Sequence, residues 1–162
     1  MSFQNSKLYI NNGRIENVEY NPSVNIYYSL VERYHKLGYK QIIISSNLML
    51  EILKYYFVQR NYKICKIEFI EDDEEFSEEI NSIIRELATD RSKWNKFVNK
   101  IDFLIENYSI DINKITMIGC NRNKSGSTEI SVQLNGILII DSEDYSFEVN
   151  SICNILERYF EK

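Results

Sequence analysis

The first apolar run of the chain, Leu8-Tyr9-Ile10-Asn11-Asn12-Gly13-Arg14-Ile15, ends in a glycine turn. The tip of such a run is where a strand presents side chains to a ligand. Between Lys7 and Arg14 it offers no Asp, Glu, His, Cys or Ser, so it supplies neither a carboxylate nucleophile nor a general base. His35 is the sole histidine, which disfavours a Ser-His-Asp triad or a multi-histidine metal site. Near a helix end it reads as a surface or cap residue whose cation suits the dipole. Cys65, Cys120 and Cys153 are widely spaced and form no CxxC pair, the pattern of reduced thiols. Cys120 stands beside Arg122 and Lys124, which could lower its pKa, yet an inert thiol is the simpler reading. Asp141, Glu143 and Asp144 could hold a divalent ion only if one sheet edge brought them to Asp72 and Asp73. Lys93, Lys96 and Lys100 form a stripe that reads as a solvated helix face balancing the acids of the Glu71–Glu79 run.

The elements that must position these residues are marked in the sequence. Lys7–Asn11 reads as a strand and Asn12-Gly13 as a tight turn, after which Arg14–Tyr20 either pairs back or forms a loose flap. Pro22 is placed to open a helix with Val24, Tyr27, Tyr28, Val31 and Tyr34 at helical spacing, closed by Gly38. Tyr39–Ser45, with Ile42-Ile43-Ile44, reads as a strand buried on both faces. Ser46 or Asn47 then caps a helix with Met49, Ile52, Leu53, Tyr56 and Phe57 inward. Tyr62–Ile70 is a third strand. Two amphipathic helices follow, one from Phe76 to Leu87 and one from Trp94 to Tyr108. Ile115–Gly119 is a fourth strand and Ile137–Asp141 a fifth. Thr128–Leu134 fits either a hairpin strand turned at Asn135-Gly136 or a short helix capped by Ser127. A last helix carries Val149, Ile152, Cys153, Leu156, Tyr159 and Phe160.

Strands alternating with helices predict an α/β fold: a three-layer, Rossmann-like parallel sheet of about five strands, with helices on both faces. The 162 residues form one domain, 1–162, with 44% apolar residues, 12 tyrosines and one proline, enough for a sizeable core. A formal charge of −5 disfavours nucleic acid as a partner. No membrane-length apolar run and no apolar leader are visible, so a soluble cytoplasmic protein is expected.

In a parallel sheet, ligands sit beyond the carboxyl ends of the strands. Three of those ends, in order, resemble the haloacid dehalogenase superfamily of phosphotransferases. Ile10-Asn11-Asn12-Gly13-Arg14 falls in register with that family's Asp-x-Asp-Gly-Thr. Gly38-Tyr39-Lys40-Gln41-Ile42-Ile43-Ile44-Ser45-Ser46-Asn47 is similar to its second motif, an apolar strand ending in Ser or Thr. Ile115-Thr116-Met117-Ile118-Gly119-Cys120, continuing to Asn135-Gly136-Ile137-Leu138-Ile139-Ile140, follows the layout of its last. The resemblance implies a helix at Thr128–Leu134.

The departures from that pattern bear on activity. The family's nucleophile would fall on Ile10, its acid/base on Asn12, its threonine on Arg14 and its metal-binding Asp on Cys120. A hydrocarbon cannot attack phosphorus, an amide cannot shuttle a proton as a carboxylate does, and Mg²⁺ wants carboxylate oxygens. No other register rescues the nucleophile, because no Asp precedes Asp72. The resemblance therefore implies a pseudoenzyme with no catalytic residues, no metal and no cofactor, Mg²⁺ entering only if displaced acids keep a phosphatase active. What it leaves is an anion or protein-binding surface around Asn11, Asn12, Ser45, Ser46, Lys93, Lys96, Cys120 and Arg122. The partner would be a protein or a phosphorylated small molecule, and a homo-oligomer stays open. A different reading is a small α+β immunity or regulatory protein, signalled by antiparallel pairing of Thr128–Leu134 with Ile137–Asp141.

Overall fold

The computed structural model describes residues 2–71, 73–123 and 125–161. Asp72 and Lys124, named above, lie outside them. The strands are β1 (Phe3–Asn11), β2 (Arg14–Glu19), β3 (Lys40–Gln41), β4 (Lys63–Phe69), β5 (Ile112–Cys120), β6 (Ser127–Gln133) and β7 (Ile137–Asp141). The helices are α1 (Tyr27–Lys36), α2 (Ser46–Lys54), α3 (Glu74–Thr89), α4 (Trp94–Tyr108) and α5 (Tyr145–Phe160).

The sheet runs β2-β1-β7-β6-β5-β4, with β3 also paired to β1, and every described pairing is antiparallel. The parallel, Rossmann-like three-layer sheet expected from the alternation of elements is therefore not formed. The physical reason lies in the connections. Asn12 and Gly13 both adopt positive φ, 51° and 78°, the two-residue turn whose twist suits a hairpin. That turn folds Arg14–Glu19 back onto β1. Gly136, φ 79°, closes a second hairpin in which Ile130 pairs Ile140 and Val132 pairs Leu138. Thr128–Gln133 thus lies in a strand, with Leu134 in the turn that follows, and not in the helix the resemblance implied. The α3–α4 pair packs on itself and returns the chain antiparallel to β4.

Local expectations fared better than topology. Ser45, one residue earlier than expected, caps α2 by accepting the Leu48 N–H at 3.3 Å. Pro22 sits in a turn, where Asn21 O accepts the N–H of Val24 and Asn25, and α1 begins only at Tyr27. The Ile42-Ile43-Ile44 run is not a central strand. Ile42 and Ile44 are buried, but Ile43 is 60% exposed, and only Lys40–Gln41 pairs.

One face of the sheet is covered by α2 to α5, whose apolar stripes meet Leu8, Ile115, Met117, Ile130, Val132, Leu138 and Ile140 in a single core. Along β1 the alternation sends Lys7 and Tyr9 to the opposite face. There α1 lies over them, with Leu30 its one buried residue. Tyr9 stacks on Tyr34 at 5.0 Å and meets Tyr39 edge-on at 6.3 Å. Among the described residues, no helix is long and apolar enough to cross a membrane.

Candidate functional site

Antiparallel pairing dictates where the expected site residues fall. Through the paired registers, Asn11 and Cys120 lie at opposite ends of the sheet, separated by about 30 Å at the usual rise of a strand. Asn11 and Asn12 form the tip of the first hairpin. Ser45 and Ser46 lie at the same end as Asn11, beside the start of β5. Ser46 is buried, donates to Asp111 Oδ1 at 3.2 Å and accepts the Ile112 N–H at 2.9 Å. Both serines are thus occupied in folding. Lys93 and Lys96 reach Glu86 at 3.5 and 3.2 Å, and Lys100 reaches Glu79 at 2.5 Å. The lysine stripe therefore pairs acids of α3, but only Lys100 meets the expected Glu71–Glu79 run, while Lys93 and Lys96 share Glu86 further along the helix. Cys120 is exposed, and Arg122 lies over the Phe147 ring at 4.3 Å. The eight residues do not converge.

The acids behave likewise. Asp73 caps α3 by accepting the N–H of Glu75 and Phe76. Asp144, at the other end of the sheet, accepts the Thr128 hydroxyl at 2.5 Å and the Arg122 N–H at 3.1 Å. Glu143 accepts from the Asn121 amide at 3.3 Å. Among the described residues, no group of three or more His, Cys, Asp or Glu is arranged to hold a metal ion.

Two buried charges stand out, and neither was singled out from the sequence. Glu148, on α5, is fully buried. Its carboxylate accepts the Tyr56 hydroxyl at 2.5 Å, the Tyr62 hydroxyl at 3.4 Å, and two Arg60 N–H groups at 2.7 and 3.3 Å. Tyr56 belongs to a π-helical turn, Tyr55–Gln59, that continues α2. Burial, and then the Glu148 charge, hold both phenols protonated well above the ordinary tyrosine range. The cluster clamps α5 to the end of α2, and with every oxygen engaged it presents no free base. Its signal was readable: Glu148 falls on the apolar stripe Tyr145, Val149, Ile152, Leu156, where only a paired acid is tolerated.

The other is Lys7, whose side chain is wholly buried. It donates to the Asn135 carbonyl and sits 5.5 Å from the ring centroids of both Tyr9 and Tyr27. Burial lowers its pKa from 10.5 to about 8, and burial likewise lifts Tyr9 to about 12. The Tyr9 hydroxyl has no described hydrogen-bond partner. An ammonium held by a carbonyl and aromatic faces is an anchor for α1. With no exposed surface it is closed to a substrate.

Comparison of the chain with protein-family models, with curated proteins and with solved structures gives no match.

Proposed function

We propose that the protein is a non-catalytic binding module, a small α+β protein of the regulatory or inhibitor kind that acts by docking on another protein. The observation that carries this reading is the segment entering α1. Val24, Ile26 and Tyr28 are 77%, 73% and 81% exposed, the most exposed large apolar side chains described. They lie within five positions of each other on a segment whose helix is anchored by Leu30. Contiguous exposed apolar side chains of this kind mark protein-binding surfaces. Antiparallel pairing of β6 with β7 adds support, being the feature that separates an α+β binding protein from a phosphotransferase frame. A phosphorylated ligand finds less support, since Asn12, Ser45 and Lys93 are spread apart or engaged.

Replacing Val24, Ile26 and Tyr28 with serine removes the patch without touching the core, so the melting temperature stays within ~2 °C of wild type. A photo-crosslinker at position 26, introduced in the producing cell, gives one discrete adduct with a second protein, and the serine substitutions at Val24 and Tyr28 abolish it. Metal-dependent turnover of an aryl phosphate that persists through repurification and vanishes on Asp141→Asn would overturn the reading.

A further inference from the structure

The two edges of the sheet are unlike. β4 is broken by register shifts between Ile64 and Lys66 and between Glu68 and Phe69, and it carries Lys63 and Lys66. Bulges and lysines are the devices that keep an edge from pairing. At the other edge, β2 keeps unbroken register with β1 from Arg14 to Glu19, with no bulge and no proline.

That register identifies the free backbone groups. The two-residue turn makes Asn11 and Arg14 a mutually bonded pair, so bonded and unbonded pairs alternate along the hairpin. Ile15, Asn17 and Glu19 consequently turn their N–H and C=O groups outward. Two bonds agree with this alternation: Leu8 N–H points away from β2 to Gly136 O at 2.9 Å, and Tyr20 N–H returns to Asn5 O at 3.0 Å. The outward Ile15 N–H meets Oε1 of Glu157, on α5, at 3.5 Å. A carboxylate thus stands where a neighbouring strand would place a carbonyl.

Beneath this edge, between β2 and α5, runs a groove of about 720 Å³. Glu16, Asn17, Val149, Cys153, Asn154 and Glu157 are among the residues lining it, and its lining includes no lysine or arginine. Glu16, paired with Tyr9, turns its side chain to the face away from α5, so the carboxylate in the groove is that of Glu157, which in an acidic chain attracts cations.

We propose that β2 accepts, as an added strand, an extended segment of a partner protein bearing Lys or Arg. This rests on the protein-binding reading above and assigns it a second surface. The segment's backbone lies ~4.8 Å outside β2 and bonds Ile15, Asn17 and Glu19. Its carbonyl takes over the Ile15 N–H and frees Glu157 to pair with a basic side chain. Alternate side chains, ~7 Å apart, drop toward Val149 and Cys153. The edge ends at Glu19, a few residues before Val24 and Ile26 in the chain.

The probe is a blocked hexapeptide alternating lysine and valine, added to the full chain labelled with ¹⁵N. Expected are saturable shifts of the Ile15, Asn17 and Glu19 amides, absent with the glutamate-for-lysine peptide and with a backbone N-methylated version. Glu157→Lys together with Glu16→Lys, both at the surface edge, weakens the lysine peptide by about tenfold or more and admits the glutamate peptide, while the amide spectrum elsewhere stays folded. No saturable shift, or shifts confined to Val24–Tyr28, overturns strand addition and leaves the α1 docking surface standing. A dimer in light scattering that the lysine substitutions dissolve overturns it in favour of a second copy of the chain. Loss of the position-26 crosslink, with the edge shifts intact, is the separate failure of the α1 reading.

Discussion

Gly119 lies flat against the ring of Tyr62: a methyl group built on Gly119 would overlap the ring carbons. The ring cannot move freely, because its hydroxyl reaches Glu148 and its edge meets Tyr56 at 5.0 Å. The glycine that ends the fourth predicted strand therefore serves aromatic packing. Gly119→Ala should lower stability by about 1–3 kcal/mol, measured by urea unfolding. Gly119→Ala combined with Tyr62→Leu should recover part of that loss, because the smaller side chain yields the space.

The Arg60–Glu148 pair gives a sharper contrast. Arg60→Met leaves a buried carboxylate facing two phenols and should cost about 3 kcal/mol. Adding Glu148→Leu removes the stranded charge and should restore most of it, since apolar replacement of both partners of a buried pair is often neutral. A double-mutant cycle in urea reads the coupling. Equal losses in the single and the double variant would show that the clamp is not electrostatic.

Lys7 predicts a pH dependence with a definite sign. Its folded pKa is about 8 against 10.5 unfolded, so between those values the unfolded chain binds more protons and stability rises with pH. Below pH 8 the folded protein carries the full cost of a buried ammonium. Lys7→Met should abolish the rise and be more stable at pH 7 by about 1–2 kcal/mol, less than the whole shift because water and dipoles relax around the charge. The raised Tyr9 opposes this above pH 10, where unfolded tyrosines lose protons. The raised Cys153 thiol also opposes it once unfolded thiols ionise at about pH 8.5, so the difference between wild type and Lys7→Met from pH 7 to about 9.5, and not either curve alone, isolates the lysine.

Ser46 bonds both Asp111 and the Ile112 N–H, and Ser46→Ala should cost about 1–3 kcal/mol. Ser45→Ala should cost about 1 kcal/mol through the lost cap. Thermal scans of both variants measure these effects.

The thiols should separate by burial. Burial, and then Glu157, push Cys153 to about 12, leaving about one thiolate in ten thousand at pH 8. Iodoacetamide should label exposed Cys120 well before Cys153, as peptide mass mapping would show.

The elements were legible because their signals are local. The Glu71-to-Leu87 and Trp94-to-Tyr108 patterns declare α3 and α4 by periodicity, and Asn12-Gly13 declares its turn by chemistry. Strand direction is not local. Ile137–Asp141 reads as a strand in either a parallel or an antiparallel sheet, and only the partner beside it decides. The alternation of helix and strand suggested crossovers, whereas the glycine turns at Gly13 and Gly136 outweighed that pattern. Once direction changed, strand tips that a parallel sheet gathers at one end were sent to two, and the site expected at Asn12, Ser45 and Cys120 dispersed with them. Glu148 showed only as an acid on an apolar stripe, and Lys7 not at all, for another reason. A lone charge in an apolar stripe is read as exposed until its partners, Arg60 and the Asn135 carbonyl, are brought to it by the fold.

β1 joins β2 on one side and β7 on the other, with Phe3 opposite Asp141. During synthesis the β1–β2 hairpin is made well before β7, the neighbour of Phe3–Lys7. Apart from Tyr9 and Ile10, which β3 pairs, that side of β1 has no strand neighbour until β7 is made. Such long-range closure slows folding and invites aggregation of nascent chains, so chaperone demand should fall on the newborn hairpin and end when β7 docks.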